Sequence, residues 1–160
     1  LNKMISNLKS YSSVCHSGNH MLDVIISKYI TECEVKNINF TFDVCVTNLN
    51  YVKNDDLVTI LSNALDNAIE SAKQSICKTV SIATDHINTY DVITIINSCD
   101  IPPKTKGNDL VTTKKDSSIH GLGIKSIQKV LKQYNGDCQW EYNENKREFT
   151  LIISLLSSQN

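Results

Sequence analysis

The chain of 160 residues has little arginine, no excess of either charge and no long apolar run, and each absence excludes a class of function. Among its 16 lysines and arginines only Arg147 is an arginine, so bidentate guanidinium contacts to phosphate are nearly excluded. The formal net charge of −1 offers no basic surface for a nucleic acid. The longest apolar runs, 92–96 and 151–156, are too short to cross a bilayer. A phosphate site would therefore have to use backbone amides, lysine and a metal ion.

The six cysteines form no C-x-x-C pair and have no histidine at ligand spacing, which argues against a zinc site. Several lie within apolar stretches, as the reduced cysteines of cytosolic proteins do, so a disulfide framework is not expected. There is no signal peptide pattern. The chain opens on Leu1 inside a helical pattern, which suggests that it belongs to a longer protein.

The most informative segment is 60–71, because it places amide side chains in one row. Asn63, Asn67, Glu70 and Gln74 follow i, i+4, i+7, i+11 spacing, which aligns them on one face of a helix. Asparagine is a poor helix former, about 0.6 kcal/mol worse than alanine, so two of them in one row need a reason. Amide oxygens are hard neutral ligands and suit a Mg²⁺ that carries an anionic phosphate group. A solvated helix face that is rich in amides is the alternative interpretation.

Hydrophobic periodicity predicts the order helix, strand, helix, strand, strand, loop, helix, strand, strand. The predicted helices are 1–35, with a kink at Gly18, about 54–75, capped by Asn54-Asp55-Asp56, and 121–134; the predicted strands are 38–46, 78–86, 90–97, 137–142 and 147–156. Paired strands and few helices predict an α+β two-layer sandwich, in which helices cover one face of a mixed sheet. The long irregular stretch 98–120 is interpreted as a lid over a site.

A pair of glycines, Gly121 and Gly123, stands at the predicted start of the last helix. Glycine lets the backbone approach a ligand closely, and the free N–H groups at a helix start attract anions. Because the pair follows a lid-like loop and precedes a helix with an apolar face, we expect it to bind phosphate.

These motifs together resemble the ATP-binding domain of the GHKL superfamily, which includes gyrase, certain chaperones, histidine kinases and a mismatch-repair protein. The segment 61–71 is similar to the N box of that family, and 112–116 followed by 120–126 is similar to its lid and second glycine box. Asn97-Ser98, where other members carry Asp-x-Gly-x-Gly, resembles the quorum-sensing (AgrC/NatK-like) type of sensor histidine kinase. The helix around 18–23 resembles the one that precedes the domain in that group.

The resemblance implies ATP and Mg²⁺ as cofactors. Asn67 would supply the amide for Mg²⁺ with Asn63 beside it, and Glu70 would order water around the metal or support the phosphates. Asn97, followed by Ser98, would stand in place of the adenine-reading aspartate, which removes a charged acceptor.

The other expected site residues come from the lid, the glycine box and a late strand. Lys114 of the lid would reach the phosphates, Gly121, Leu122 and Gly123 would cradle them, His120 would orient the lid, and Thr150 would assist near the adenine.

The reaction implied by the resemblance is phosphoryl transfer and not hydrolysis. The position of Asn63 carries a water-activating glutamate in the ATP-hydrolysing branches, and an amide cannot act as a general base. Phosphoryl transfer depends more on positioning and charge neutralisation, so donation to a protein side chain remains feasible. The acceptor histidine is expected upstream of this chain, because His16 and His20 lack the acidic neighbour of an acceptor motif, and no role is expected for His86.

The sequence therefore predicts the end of a dimerisation hairpin at 1–35, a catalytic domain at 36–157 and a lid at 98–120. The resemblance implies a homodimer through the first helix, a response-regulator receiver domain as partner, no nucleic acid, and a cytoplasmic domain of a parent anchored in the bacterial membrane. The apolar stripe of the first helix could equally dock on its own domain. Alternative functions are a stand-alone protein-serine kinase of the anti-sigma-factor type and a nucleotide-binding interaction domain without catalysis.

Overall fold

The computed structural model describes residues 16–44, 49–106, 109–110 and 123–157. Helices α1, α2 and α3 span His20–Val35, Asn54–Gln74 and Gly123–Leu131, and short 3-10 turns span Leu49–Tyr51 and Lys132–Tyr134. The strands are β1 (Asn39–Val44), β2 (Thr79–Ile87), β3 (Tyr90–Ser98), β4 (Thr105–Lys106), β5 (Asp109–Leu110), β6 (Asp137–Asn143) and β7 (Glu148–Leu156).

The main sheet has five strands in the order β1-β2-β3-β7-β6. β1 and β2 are parallel, because α2 crosses over between them, and the other neighbours are antiparallel. β4 and β5 form a separate two-stranded ladder inside the predicted lid. The mixed sheet and its helices confirm the predicted α+β fold.

Alternating burial along the strands gives the sheet one covered face. Val80, Ile82 and Thr84 of β2 are buried, whereas the residues between them are only partly so. Ile93 and Ile95 of β3 continue the buried row on the same face. The helices supply the other half of the core, with Ile60, Leu61, Ala64, Leu65 and Ala68 of α2 all buried as their spacing predicted.

The start of α2 differs from the predicted cap. The helix begins at Asn54 with Lys53 in the N-cap position, and no side chain caps it, so capping by Asn54-Asp55-Asp56 was wrong. Asp55 and Asp56 instead lie in the first turn, where carboxylates stabilise the positive end of the helix dipole. The amide of Lys53 binds the hydroxyl oxygen of Tyr134 at 3.1 Å. A residue from a distant part of the chain thus binds the amide just before the helix, and no side chain caps its first turn.

The start of α1 also differs from the predicted continuous helix. Residues 16–19 are not helical, and Gly18 has a φ of 83°, which favours glycine. Asn19 is the N-cap, since its side-chain oxygen accepts the amide of Leu22 at 2.9 Å. His16 therefore lies outside the helix, and Gly18 marks its boundary and not a kink. Residues 1–15 of the predicted helix lie outside the described residues.

The apolar stripe of α1 packs on its own domain. Leu22, Ile26, Tyr29 and Cys33 are fully buried in the same core as α2. The Tyr29 hydroxyl donates to Asp66 of α2 at 2.7 Å. A domain boundary at residue 35 and a dimer through this helix stay predictions. No helix in the described part of the chain combines the length and the apolar character needed to cross a membrane.

Candidate functional site

The amide row of α2 lies on the part of the helix surface that is not buried in the core. Asn63 is half-buried, and Asn67 and Glu70 are exposed. The side-chain nitrogen of Asn63 donates to the carbonyl of Thr59 at 2.7 Å, so its oxygen is the atom left for a ligand. The row therefore presents a hard oxygen that could hold Mg²⁺.

Gly123, the first residue of α3, comes directly against this row. A Cβ atom added to Gly123 would lie 3.0 Å from the side-chain nitrogen of Asn67 and 3.7 Å from the side-chain oxygen of Asn63. Any larger residue would have to push Asn67 aside. The structure thus brings together the amide row and the second predicted glycine, at a helix start whose N–H groups can bind an anion.

Asn97, near the end of β3, is a further polar residue of the candidate site. It is 3% exposed and lies on the helix-covered face, in alternation with Ile95 and Ile93. Its side-chain nitrogen donates to the carbonyl of Ser98 at 2.9 Å. Within the described residues no hydrogen bond reaches its side-chain oxygen. A buried acceptor without a partner points to a ligand, because leaving such a group unpaired costs about 1–3 kcal/mol.

The Ser98 side chain ties the sheet to the end of α2, and the role of this residue in binding the nucleotide stays a prediction. Its hydroxyl lies 2.5 Å from that of Ser75 and accepts the amide of Thr79 at 3.0 Å. Its carbonyl also accepts the hydroxyl of Ser71 at 3.3 Å. Sequence reasoning missed Ser71, although it lies four residues after Asn67 and continues the row 63, 67, 71.

The segment that leaves β3 towards the predicted lid is fixed by backbone and side-chain contacts. Asp100 accepts the amide of Ile76 at 2.8 Å. The Cys99 amide donates to the carbonyl of Arg147 at 2.7 Å, and the Cys99 carbonyl accepts the hydroxyl of Tyr142 at 3.0 Å. The described base of the segment is therefore held against the loop that follows α2, the turn before β7 and strand β6.

Thr150 is not brought to Asn97. It pairs with Ile96 on the neighbouring strand, and the buried Leu151 beside it faces the helices. Thr150 accordingly lies on the opposite face of the sheet from Asn97. Lys114, His120, Gly121 and Leu122 lie outside the described residues. In the described ranges, no group of three or more His, Cys, Asp or Glu side chains could hold a metal ion.

A second polar cluster lies at the other end of β3. Asp91, 3% exposed, accepts the Tyr51 hydroxyl at 2.9 Å and lies 2.9 Å from Nδ1 of His86. Burial and the Asp91 carboxylate raise the pKa of Tyr51 above its ordinary value of 10.0. Nearby, the Tyr134 hydroxyl donates to Asp56 and holds the 3-10 turn that follows α3 to the start of α2. This cluster fixes the helix pair whose other end carries the amide row.

A model of the GHKL domain family matches residues 52–155, well over half of the chain. The chain belongs to the GHKL family. Its fold holds an ATP-binding domain similar to the catalytic domains of histidine kinases, and the amide row and Gly123 lie within the matched range.

Solved structures agree on the fold. The nucleotide-free catalytic domain of histidine kinase ThkA superimposes with a TM-score of 0.65 at 19% identity, over 89% of this chain and 93% of that one. Acinetobacter baumannii histidine kinase AdeS gives a TM-score of 0.59 at 12% identity, over 99% of this chain and 79% of that one. No curated protein matches the chain significantly.

Proposed function

We propose that this chain is the Mg²⁺-ATP-binding catalytic domain of a two-component sensor histidine kinase of the quorum-sensing (AgrC/NatK-like) type. It transfers the γ-phosphate of ATP to a histidine on a dimerisation hairpin, for relay to a response-regulator receiver domain. The parent protein is anchored in the bacterial membrane with this domain in the cytoplasm. The observation that carries the proposal is the approach of Gly123 to Asn67 and Asn63.

The proposal gives each polar residue of α2 a separate role in binding. The oxygens of Asn67 and Asn63 hold Mg²⁺, and Glu70 supports its water shell. The N–H groups at the start of α3 hold the phosphates, with Gly123 leaving room for them. When bound, Mg²⁺ neutralises charge on the phosphate oxygens. Asn63 cannot accept a proton as a general base, so the site favours transfer to a side chain over hydrolysis.

Lys114 of the lid reaches the phosphates, and the backbone of Gly121 and Leu122 completes their cradle. These roles come from the resemblance of 112–126 to the lid and glycine box.

The packing of α1 is also compatible with a second candidate. Its apolar stripe is occupied by its own core, which suits a stand-alone protein-serine kinase of the anti-sigma-factor type as well as a kinase that dimerises through an upstream segment. The two candidates differ in the phosphorylated residue, and phosphohistidine is acid-labile whereas phosphoserine is not.

Calorimetry with ADP and Mg²⁺ tests the site. We expect Asn67→Ala to weaken binding roughly 100-fold, because it removes an oxygen that contacts the metal. Asn39→Ala, an exposed asparagine on β1, is the matched control and should bind as the wild type does. Equal binding by both variants would refute the metal assignment.

Labelling with γ-labelled ATP, in a protein that includes the upstream hairpin, tests the reaction. Acid-labile label on a histidine supports the kinase proposed here. Acid-stable label on a separate protein supports the second candidate. Binding of ADP without any transfer supports an interaction domain without catalysis.

A further inference from the structure

One face of the main sheet is left open, because the described helices pack on the other face. The residues of β2 and β3 that alternate with the buried Val80, Ile82, Ile93 and Ile95 point to this open face. The strand registers carry the same alternation across the sheet, so the open face can be followed from β1 to β6. A sheet face that meets water is ordinarily polar.

The centre of this open face is apolar. Val92 and Ile96 of β3 and Ile152 of β7 lie there and are partly exposed. The apolar strip continues to the end of the β2–β3 hairpin, where Ile87 is 51% and Tyr90 is 41% exposed. From Tyr90 to Ile96 the strip is about 20 Å long, which is the length of about 13 residues of α-helix.

Exposed carboxylates border the apolar strip on both sides. Asp43 of β1 and Asp85 of β2 lie on one side, and Asp137 and Glu141 of β6 lie on the other. The described strand residues of this face include no lysine or arginine, and no ion pair within the described chain involves any of these four carboxylates. The whole chain carries a formal net charge of only −1, so the acidic character belongs to this face and not to the composition.

We propose that the open face docks a basic amphipathic helix of a partner protein. The apolar side of that helix lies on the strip between Val92 and Ile152, and its lysines or arginines reach the carboxylates on both borders. The borders are three or four strands apart, which is about 14–19 Å, and a helix with its side chains is about 10–12 Å wide. The amide row of α2 lies on the other side of the sheet, so the docked helix leaves the nucleotide site free.

A synthetic peptide of leucine and lysine, about 14 residues long, is the probe, with its leucines at i, i+3, i+4 and i+7 so that they share one helix face. NMR shift mapping should place its contacts at Val92, Thr94 and Ile152. A peptide of the same composition in scrambled order keeps the charge and should bind at least about 10-fold more weakly. Equal binding of the two peptides, or shift changes confined to the helices, would overturn the proposal.

Reversal of one border charge tests the role of the carboxylates. Glu141→Lys should weaken binding of the amphipathic peptide about 5- to 10-fold, because an attraction becomes a repulsion. Glu34→Lys makes the same change at an exposed position of α1, away from this face, and should bind as the wild type does. An equal loss in both variants would show that only net charge matters and would overturn the proposal.

A thermal melt shows whether each variant is folded. If Glu141→Lys does not fold, Glu141→Gln with Glu34→Gln as control replaces the pair, and a loss of binding in the first alone supports the proposal. Sedimentation of the protein without peptide tests the other possible occupant. A dimer that Glu141→Lys dissociates would overturn the proposal, because a second copy of the chain would then cover this face.

Discussion

β3 carries one buried polar side chain near each end, and the two differ in how far the protein satisfies them. Asp91 and Asn97 are each 3% exposed. Both oxygens of Asp91 have partners, Tyr51 and His86. Among the described residues, Asn97 has a partner for its nitrogen only. A buried group that the fold satisfies completely stabilises the fold, whereas one that the fold leaves half satisfied is available to a ligand.

The largest effect on folding is expected from Asp91→Ala. It leaves the half-buried Tyr51 hydroxyl without an acceptor, so we expect a loss of about 2–3 kcal/mol in the free energy of unfolding. Urea unfolding measures it, with Asp43→Ala, an exposed carboxylate on β1, as the control. ADP affinity should stay unchanged. A loss no larger than that of the control would show that the Asp91 cluster is not structural.

The opposite pattern is expected from Asn97→Ala. The free protein should lose less than about 1 kcal/mol, because the substitution also removes an unpaired buried oxygen. ADP affinity should fall about 10-fold, which is about 1.4 kcal/mol. Urea unfolding with and without ADP separates the two quantities. A large loss of stability without ADP would show that Asn97 stabilises the fold, as Asp91 does.

Alkaline pH should weaken the Asp91 end through Tyr51, whereas the side-chain amide of Asn97 itself does not titrate. The raised pKa of Tyr51 means that the unfolded chain loses the phenolic proton first. This contribution to stability is complete below pH 10, the ordinary pKa of tyrosine, and is lost as the pH rises above it. Tyr51→Phe should cost about 1 kcal/mol near neutral pH and reduce the alkaline loss. Urea unfolding from about pH 8 to pH 11 measures both.

Part of the alkaline loss should survive in Tyr51→Phe. Burial also raises the pKa of the Tyr29 hydroxyl, and it raises the pKa values of Cys33 and Cys138 to about 11. These groups shift stability in the same direction. An unchanged pH profile in Tyr51→Phe would show that these other groups cause the whole loss of stability at alkaline pH.

The smallest effect is expected from Gly123→Ala. The added methyl group would lie 3.0 Å from the Asn67 side-chain nitrogen, so that amide must shift by a few tenths of an ångström. We expect a few-fold loss in ADP affinity by calorimetry and little change in thermal stability. A larger loss of stability than of affinity would indicate that this contact belongs to the fold and not to the site.

Periodic features of the sequence predicted most of the fold. The apolar spacing of α2 and the alternation of β2 and β3 depend on local chemistry, so helices, hairpins and the covered face followed from them. The row of Asn63 and Asn67 was predicted for the same reason. That Gly123 would meet this row came from the resemblance, since spacing alone does not show which helix starts touch.

Features that depend on distant contacts were not predicted. α2 starts after Lys53 without a side-chain cap, and the hydroxyl of the distant Tyr134 binds the Lys53 amide. The Ser98 hydroxyl contacts the Ser75 hydroxyl at the end of α2. The Asp91 cluster unites a 3-10 turn and two strands, and no local pattern joins them. Thr150 was misplaced because its strand register, and hence its face, was unknown.

The burial of α1 decides where this domain can be cut and rejoined to other proteins. A boundary at residue 36 would remove Leu22, Ile26, Tyr29 and Cys33 from the core and leave the apolar side of α2 open to water. Such a fragment would aggregate. A chimera should instead join before Ser17, because its buried side chain binds Asp23 and Asn19 at the start of the capped helix.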